Sequence, residues 1–360
     1  MLCLKIVNSC ARTTNNHAGK YLTSSMTPLE KKYHDLLRPS DELVADIAKL
    51  SGDILILGVG GKMGPALARL AKQAVDKANV SKRIIGVARF TEPDLQNQLS
   101  NEGIETIAAD LLDDKKLQAL PEVANVLYLA GTKFGTSGNE AFTWAMNAYL
   151  PGRVAEKYKH SRIVVFSTGN VYPFTSDGAT EQTQPEPIGE YGQSCLGRER
   201  VFQYFSSKHQ TPTLIYRLNY ANDVTYGVLL EIAKSVKSKK PIDLNMGYVN
   251  VIWQSDANEI ALRSLRHCAV PSKILNVTGT ENLSVRWIAE QFGQLMNMQP
   301  EFINQEQPTS LLSNASESGR LFGNPKVDLK PMMEIILAWL EQGGKTLSKP
   351  THFSERKGKF

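Results

Sequence analysis

The feature that most constrains this chain is a glycine string wedged between a short apolar run and a helical pattern. Ile54–Leu57 is apolar at every position, as a strand buried on both faces of a parallel sheet must be. Gly58-Val59-Gly60-Gly61-Lys62-Met63-Gly64 follows, and a helical pattern then runs from about Gly64 to Lys77, with Pro65 suited to its first turn. Glycines at 58, 61 and 64 permit a tight turn and bring backbone N–H groups close to an anion. They also open a helix whose N-terminal dipole favours negative charge. The combination points to a diphosphate cradle in which Gly58, Gly60, Gly61, Lys62, Met63 and Gly64 touch a dinucleotide.

The rest of the first half repeats the strand–helix rhythm. Strands are expected at Arg83–Ala88, Ile104–Ala108, Asn125–Ala130, Arg162–Ser167 and Thr213–Arg217, with long helices over Glu140–Tyr158 and Tyr191–Ser207. With Ile54–Leu57 these make six strands of a doubly wound parallel sheet, an α/β Rossmann-like fold. Beyond Asn219 the rhythm changes: helices near Tyr226–Lys237, Asp256–His267 and Met332–Leu340 alternate with short β-like runs at Tyr248–Trp253 and Ile274–Thr278. Asn304–Asn324 reads as polar and irregular, and Trp144, Trp287 and Trp339 fall in helical patterns expected to face the core. The expected organisation is a leader and N-terminal helical extension (1–50), a dinucleotide-binding domain (51–220), a smaller α+β substrate domain (221–342) and a basic tail (343–360).

Composition closes off several classes. The 360 residues are 42% apolar and 21% charged, which is ordinary for a folded chain, and no apolar run approaches the roughly 18 residues of a membrane span. The net charge of +5 sits at the ends: residues 1–29 carry three cations and no acid, and residues 343–360 supply +4, which leaves the body at −2. A slightly acidic body argues against a nucleic-acid partner, and the two basic ends read as solvated. Cys3, Cys10, Cys195 and Cys268 show no metal-ligand spacing, and the six histidines are isolated, so neither a disulfide framework nor a metal site is expected. Reduced thiols fit a cytoplasmic location. Residues 1–25 read as a disordered leader or an overlong start before Met26, with organelle targeting as the weaker alternative.

The second strand adds a cofactor choice. A site for NAD usually places an acid there for the ribose 2′-hydroxyl, but Gly86-Val87-Ala88-Arg89 holds Ala88 at that place with Arg89 next. A cation instead of an acid favours NADP over NAD.

Four further motifs follow the glycine loop in order. They are Ala109-Asp110-Leu111, Ala130-Gly131, Ser167-Thr168-Gly169-Asn170-Val171-Tyr172, and Tyr191 at the head of a helix. Over roughly residues 52–340 the chain resembles the extended short-chain dehydrogenases/reductases, the NAD(P)-dependent epimerase/dehydratase group. The resemblance implies that Asp110 and Leu111 flank the adenine and that Ala130, Gly131, Thr132 and Lys133 line the cofactor. It also implies that Thr168 holds the substrate hydroxyl, that Tyr191 is the general acid/base, that Asn147 braces the catalytic strands, and that two long helices form a homodimer.

A free phenol has a pKa near 10, so a base working near neutral pH needs a cation beside it. The family supplies a lysine four residues after the tyrosine, one helical turn on. Here that position is Cys195. Arg198, Lys133 or the oxidised nicotinamide itself could supply the charge, and Cys195 could be a nucleophile or plain packing. A catalytically silent dinucleotide-binding regulatory or scaffold protein is the alternative.

Two more departures bear on the substrate. Gly169 and Asn170 stand where the 4,6-dehydratases carry an acid pair, which argues against that elimination chemistry. From Pro241 to Leu262 there is no Lys or Arg to clamp a substrate diphosphate, and the connection after Arg217 is short. The expected substrate is therefore a small carbohydrate-like molecule and not a nucleotide sugar. Asn170, Asn219, Asn250, Trp253 and Gln254 are its candidate neutral contacts, and Arg320 is a possible anion contact.

Overall fold

The computed structural model describes residues 27–133, 135–347 and 349–359, so the expected leader lies outside the described residues. Seven strands form one sheet: β1 (Ile54–Leu57), β2 (Ile84–Ala88), β3 (Glu105–Ala108), β4 (Asn125–Tyr128), β5 (Arg162–Thr168), β6 (Thr213–Leu218) and β7 (Lys273–Val277). Their order is β7-β6-β5-β4-β1-β2-β3, and every neighbouring pair is parallel. The chain winds one way from β1 to β3 and the other way from β4 onward, which puts the switch point, and hence the binding crevice, at the carboxyl ends of β1 and β4. The sequence expectation of six strands is corrected to seven. Lys273–Val277 is an edge strand reached only after a long excursion, and its pattern alone does not say which sheet it joins.

Both faces of the sheet are covered. Helix Gly64–Lys77, helix Asp41–Lys49 and helix Gln254–Ser264 pack on one face around Leu67, Ile47 and Ala261; helices Leu150–Lys157 and Gly189–His209 cover the other around Val154 and Phe202. Ser40 fixes the start of Asp41–Lys49 by accepting from the Leu43 N–H, and Thr27 and Glu30 form a reciprocal cap on helix Pro28–Leu36. A separate core joins helices Val228–Ser238, Val285–Met296 and Leu329–Glu341 through Ile232, Ile288 and Ile336. Among the described residues no helix is long and apolar enough to cross a membrane.

Three local expectations change. The helical run from Glu140 to Lys157 contains a π segment at Ala145–Tyr149, in the middle of which Asn147 is wholly buried. Asn304–Asn324 is not irregular throughout, since Ser316–Phe322 is a helix held by the Lys273–Glu317 ion pair. Trp144 and Trp287 lie on the surface, about two-fifths exposed: helix Val285–Met296 packs into the C-terminal core through Val285, Ile288 and Phe292 and leaves Trp287 outside, and Trp144 donates to the Glu190 carboxylate.

Candidate active site

A cleft of about 650 Å³ opens at the carboxyl ends of the central strands and is lined by every residue of the glycine loop except the buried Val59. Gly58 has φ +91°, and a Cβ there would lie 2.7 Å from the Ala130 backbone nitrogen, so only glycine lets β1 and β4 close this tightly. A Cβ on Gly64 would meet the Val59 carbonyl oxygen at 2.2 Å, which fixes how near the helix comes to the turn. No side chain caps helix Gly64–Lys77, so its first N–H groups are left to face the cleft. This cradle of bare backbone and helix dipole fits a dinucleotide diphosphate. Asp110, Leu111, Ala130, Gly131, Thr132 and Lys133 line the same cleft.

At the adenosine end, Arg89 stands exposed on the rim, and Phe90 follows in a left-handed conformation (φ +49°). The same rim carries Glu92, the residue before the helix that begins at Pro93. Glu92, at this helix N-cap, is an acid on the rim that the sequence reading did not weigh.

Thr168 ends β5 and caps a short 3-10 turn, with its Oγ1 accepting from Asn170 N–H (3.2 Å) and Asn170 Nδ2 (3.0 Å). Tyr191 sits in the first turn of helix Gly189–His209, hydrogen-bonded to Thr168, with Cys195 at its other side. Burial pushes the Tyr191 phenol well above the ordinary range and Cys195 pushes it further, while Arg198 and the Thr168 hydrogen bond pull it down. Cys195 is fully buried and does not line the cleft; burial pushes its thiol up, so it is a neutral neighbour of Tyr191 and not an exposed nucleophile.

Arg198 does line the cleft. Its guanidinium donates to the Phe166 carbonyl (2.8 Å) and to Asn147 Oδ1 (2.7 Å), and lies so close to Gly131 that a Cβ there would sit 2.3 Å from Nη2. Asn147 also accepts from Thr132 N–H and donates to the Thr132 carbonyl, both at 2.9 Å, and donates to Ser194 Oγ at 3.0 Å. The π segment thus ties helix Gly189–His209 to the loop after β4. Lys133 places its ammonium 5.7 Å from the centre of the Tyr191 ring, and burial lowers its pKa to about 8.

Behind Thr168 lies a pair that sequence reasoning missed. Arg217 on β6 and Glu199 on helix Gly189–His209 are almost wholly buried and joined at 2.9 and 2.5 Å, and Ser167 donates to the same carboxylate at 2.5 Å. No spacing pattern links residues 167, 199 and 217; the parallel pairing of β5 with β6 sets Ser167 beside Arg217, and helix Gly189–His209 packed over them brings Glu199 to both.

On the substrate side, Asn170, Asn219 and Gln254 line the cleft, whereas Asn250 and Trp253 do not. Asn250 is consumed in a scaffold with Asn282, Ser313 and Asn219, and Trp253 is wholly buried against Tyr33. Asn250 lies between the short strands Tyr248–Val249 and Ile252–Trp253, and both it and Trp253 are taken up in the interior, which corrects the expectation of substrate contact. Arg320 is likewise an exposed partner of Glu317 away from the cleft.

The basic C-terminal stretch is not a solvated end. Thr351 donates through its N–H and hydroxyl to Glu231 (2.8 and 2.6 Å), Phe353 is buried in the C-terminal core, and Arg356 donates to the Thr309 carbonyl (2.6 Å) over the Phe174 ring. Lys349 and Thr351 thereby become walls of the cleft. Phe353 was the one signal that a cation-rich stretch had an inward face.

The model of the NAD dependent epimerase/dehydratase family matches residues 54–245. A search of curated proteins finds no match. Among solved structures, UDP-glucuronic acid 4-epimerase from Bacillus cereus is 19% identical, covering 81% of this chain and 99% of its own at a TM-score of 0.67. UDP-glucose 4-epimerase from Thermotoga maritima is 14% identical (81% and 99% covered, TM-score 0.65), and dTDP-glucose 4,6-dehydratase from Bacillus anthracis is 16% identical (81% and 96%, TM-score 0.68). At these identities the solved structures speak for the fold. The family match spans more than half of the chain, and with it the sheet order and glycine cradle place the chain in the NAD dependent epimerase/dehydratase family, a family of NAD-dependent enzymes.

Proposed function

We propose that this chain oxidises, reduces or epimerises a carbinol carbon of a small carbohydrate-like molecule, with Thr168 holding the reacting hydroxyl and Tyr191 moving its proton. The observation that carries this is the arrangement of Thr168 and Tyr191 on the wall of the glycine-loop cleft, with the Arg198 guanidinium behind them. The nicotinamide, when bound, accepts or returns the hydride. Tyr191 takes the hydroxyl proton as the carbonyl forms and gives it back on reduction. Arg198 supplies the positive charge that the lysine position, Cys195, lacks. It is seven residues from Tyr191, two helical turns on, and is held in place by Phe166 and Asn147.

The absence of Lys and Arg from Pro241 to Leu262, and the C-terminal wall, support a substrate smaller than a nucleotide sugar. The cofactor is NAD or NADP. Arg89 favours the 2′-phosphate of NADP, against which Glu92 on the same rim works. A homodimer through the two long helices is supported by the exposed Phe142, Trp144, Tyr149, Ile188 and Tyr204, which lie on or beside those helices. Gly197 lets the two helices approach within a subunit, since a Cβ there would touch Ala148 and Trp144. The unpaired thiols of Cys195 and Cys268 fit a cytoplasmic site of action.

The test is to incubate the purified holoprotein with free sugars, sugar acids and nucleotide sugars while following the near-ultraviolet absorbance of the reduced nicotinamide. Reduction by a small member and not by nucleotide sugars is expected. Reduction by nucleotide sugars alone overturns the substrate class, and a panel in which no member reduces the nicotinamide or is converted to its epimer removes the hydride-transfer assignment.

A further inference from the structure

Segments from both ends of the described chain meet on one turn of the cleft wall. Residues 219–228 lead from β6 into helix Val228–Ser238, and Tyr220, Tyr226 and Gly227 from this stretch line the cleft. The Tyr226 ring lies against the glycine loop, with the Lys62 ammonium 3.5 Å from its centre. Tyr220 is held at φ +42°, a conformation that a non-glycine residue keeps only where its surroundings impose it.

The groups that impose it come from far away in the sequence. Asp223, 3% exposed, is a carboxylate hidden from water, which is costly unless hydrogen bonds replace its hydration. Its Oδ1 accepts from the Thr225 N–H (3.0 Å) and the Thr225 hydroxyl (2.7 Å), and paired backbone bonds between Asp223 and Tyr226 close the turn. Its Oδ2 accepts from the Tyr33 hydroxyl at 2.8 Å. Tyr33 stands on helix Pro28–Leu36, nine residues long and too short to be stable alone; Leu29, Tyr33 and Leu36 lay it on the C-terminal core. The Tyr33 ring packs against Trp253 and Trp339, with ring centres 6.5 and 5.7 Å away. Trp339 in turn donates its indole N–H to the Lys345 carbonyl (3.0 Å), and two residues on the Leu347 N–H donates to the Thr225 carbonyl (2.9 Å). The contacts form a closed circuit through Tyr33, Asp223, Thr225, Leu347, Lys345 and Trp339. Tyr33 and Leu347 both lie outside the residues 54–245 that match the family.

We infer that Tyr33 is a positioning residue for the dinucleotide: through Asp223 it holds the Tyr226 turn against the glycine loop, and the bound cofactor is retained longer for it. This role needs a dinucleotide in the glycine cradle and nothing of the proposed proton and hydride chemistry. Burial and the Asp223 charge hold the Tyr33 phenol well above its ordinary range, so it remains a neutral donor.

Tyr33→Phe keeps the ring packing and removes only the hydroxyl. The experiment follows release of NADH or NADPH by stopped-flow fluorescence and reads backbone hydrogen exchange in the same protein. The reduced dinucleotide should leave about tenfold faster from Tyr33→Phe. The Thr225, Tyr226 and Leu347 amides should exchange about tenfold faster, while Leu55 in β1 and Val126 in β4 keep their rates. Thr225→Val breaks the same circuit one link on, so it should give a similar increase, and adding it to Tyr33→Phe should change release less than about twofold further. An unchanged release rate in Tyr33→Phe overturns the inference even if the turn loosens. Exchange that quickens equally at Leu55 and Val126 overturns it too, because Tyr33 would then serve only the stability of the whole fold. Effects that multiply in the double variant overturn the route through Asp223. A protein that takes up neither dinucleotide loses the cradle and this role together, whereas faster release from Tyr33→Phe stands whether or not any sugar reduces the cofactor.

Discussion

The two ends of the cleft are built from different materials. The dinucleotide end is made of backbone: Gly58 at φ +91°, the uncapped start of helix Gly64–Lys77 and the close passage of Ala130. The other part of the cleft, where we propose that the substrate lies, is made of side chains on elements far apart in sequence, with Tyr226, Gln254, Lys349 and Thr351 lining one space. A backbone cradle tolerates almost no substitution where it touches and almost any elsewhere. A side-chain wall can be rebuilt residue by residue on an unchanged frame, which is how one fold serves many substrates.

Three substitutions can break or sharpen that contrast. The largest effect is expected at Tyr191→Phe, which should lower kcat about a thousandfold while NAD binding changes less than about twofold. A loss of NAD affinity as large as the loss of rate would show that Tyr191 belongs to the cofactor end. Gly58→Val should weaken NAD by about a hundredfold by fluorescence titration, because the added side chain meets Ala130 and the left-handed turn is strained. Unchanged affinity there would mean that the backbone cradle is not where the diphosphate lies.

Arg198→Met should lower kcat for oxidation about thirtyfold near pH 7. Its sign follows from the phenol: burial raises the Tyr191 pKa and Arg198 opposes it, so losing the guanidinium moves the phenol still higher. The rate of oxidation should rise with pH in both proteins, by up to about tenfold per unit, with the variant displaced to the alkaline side. A parallel loss at every pH would make Arg198 a strut for Asn147 and Phe166 instead of a charge for Tyr191.

What was legible in the sequence follows the same division. The glycine loop, the six expected strands and the order Asp110, Gly131, Thr168, Tyr191 are local signals; the strands form within a few residues of the expected bounds, and those four residues line one cleft. Arg198 was legible too, because helical periodicity puts residues seven apart on one face. Long-range placement was not. The strand Lys273–Val277 looks the same whether it joins the central sheet or a second one, and only its pairing with β6 decides. Trp253 and Asn250 sit on a β-like run whose alternation did not reveal which face meets the cleft; both turned inward. The C-terminal lysines read as a solvated charge run because their anchors, Glu231 and Thr309, lie far upstream in the chain.

The Glu199–Arg217 pair bears on how this site can change over generations. Each charge is hidden from water and satisfied chiefly by the other, with Ser167 joining the carboxylate one residue before Thr168. Losing either partner alone strands the other in the interior at about 3–5 kcal/mol, a large part of the stability of most domains. A lineage can therefore leave this pair only by exchanging both residues together, so the strand that carries the reacting threonine is fenced in by an inheritance constraint that the tail and its lysines do not share.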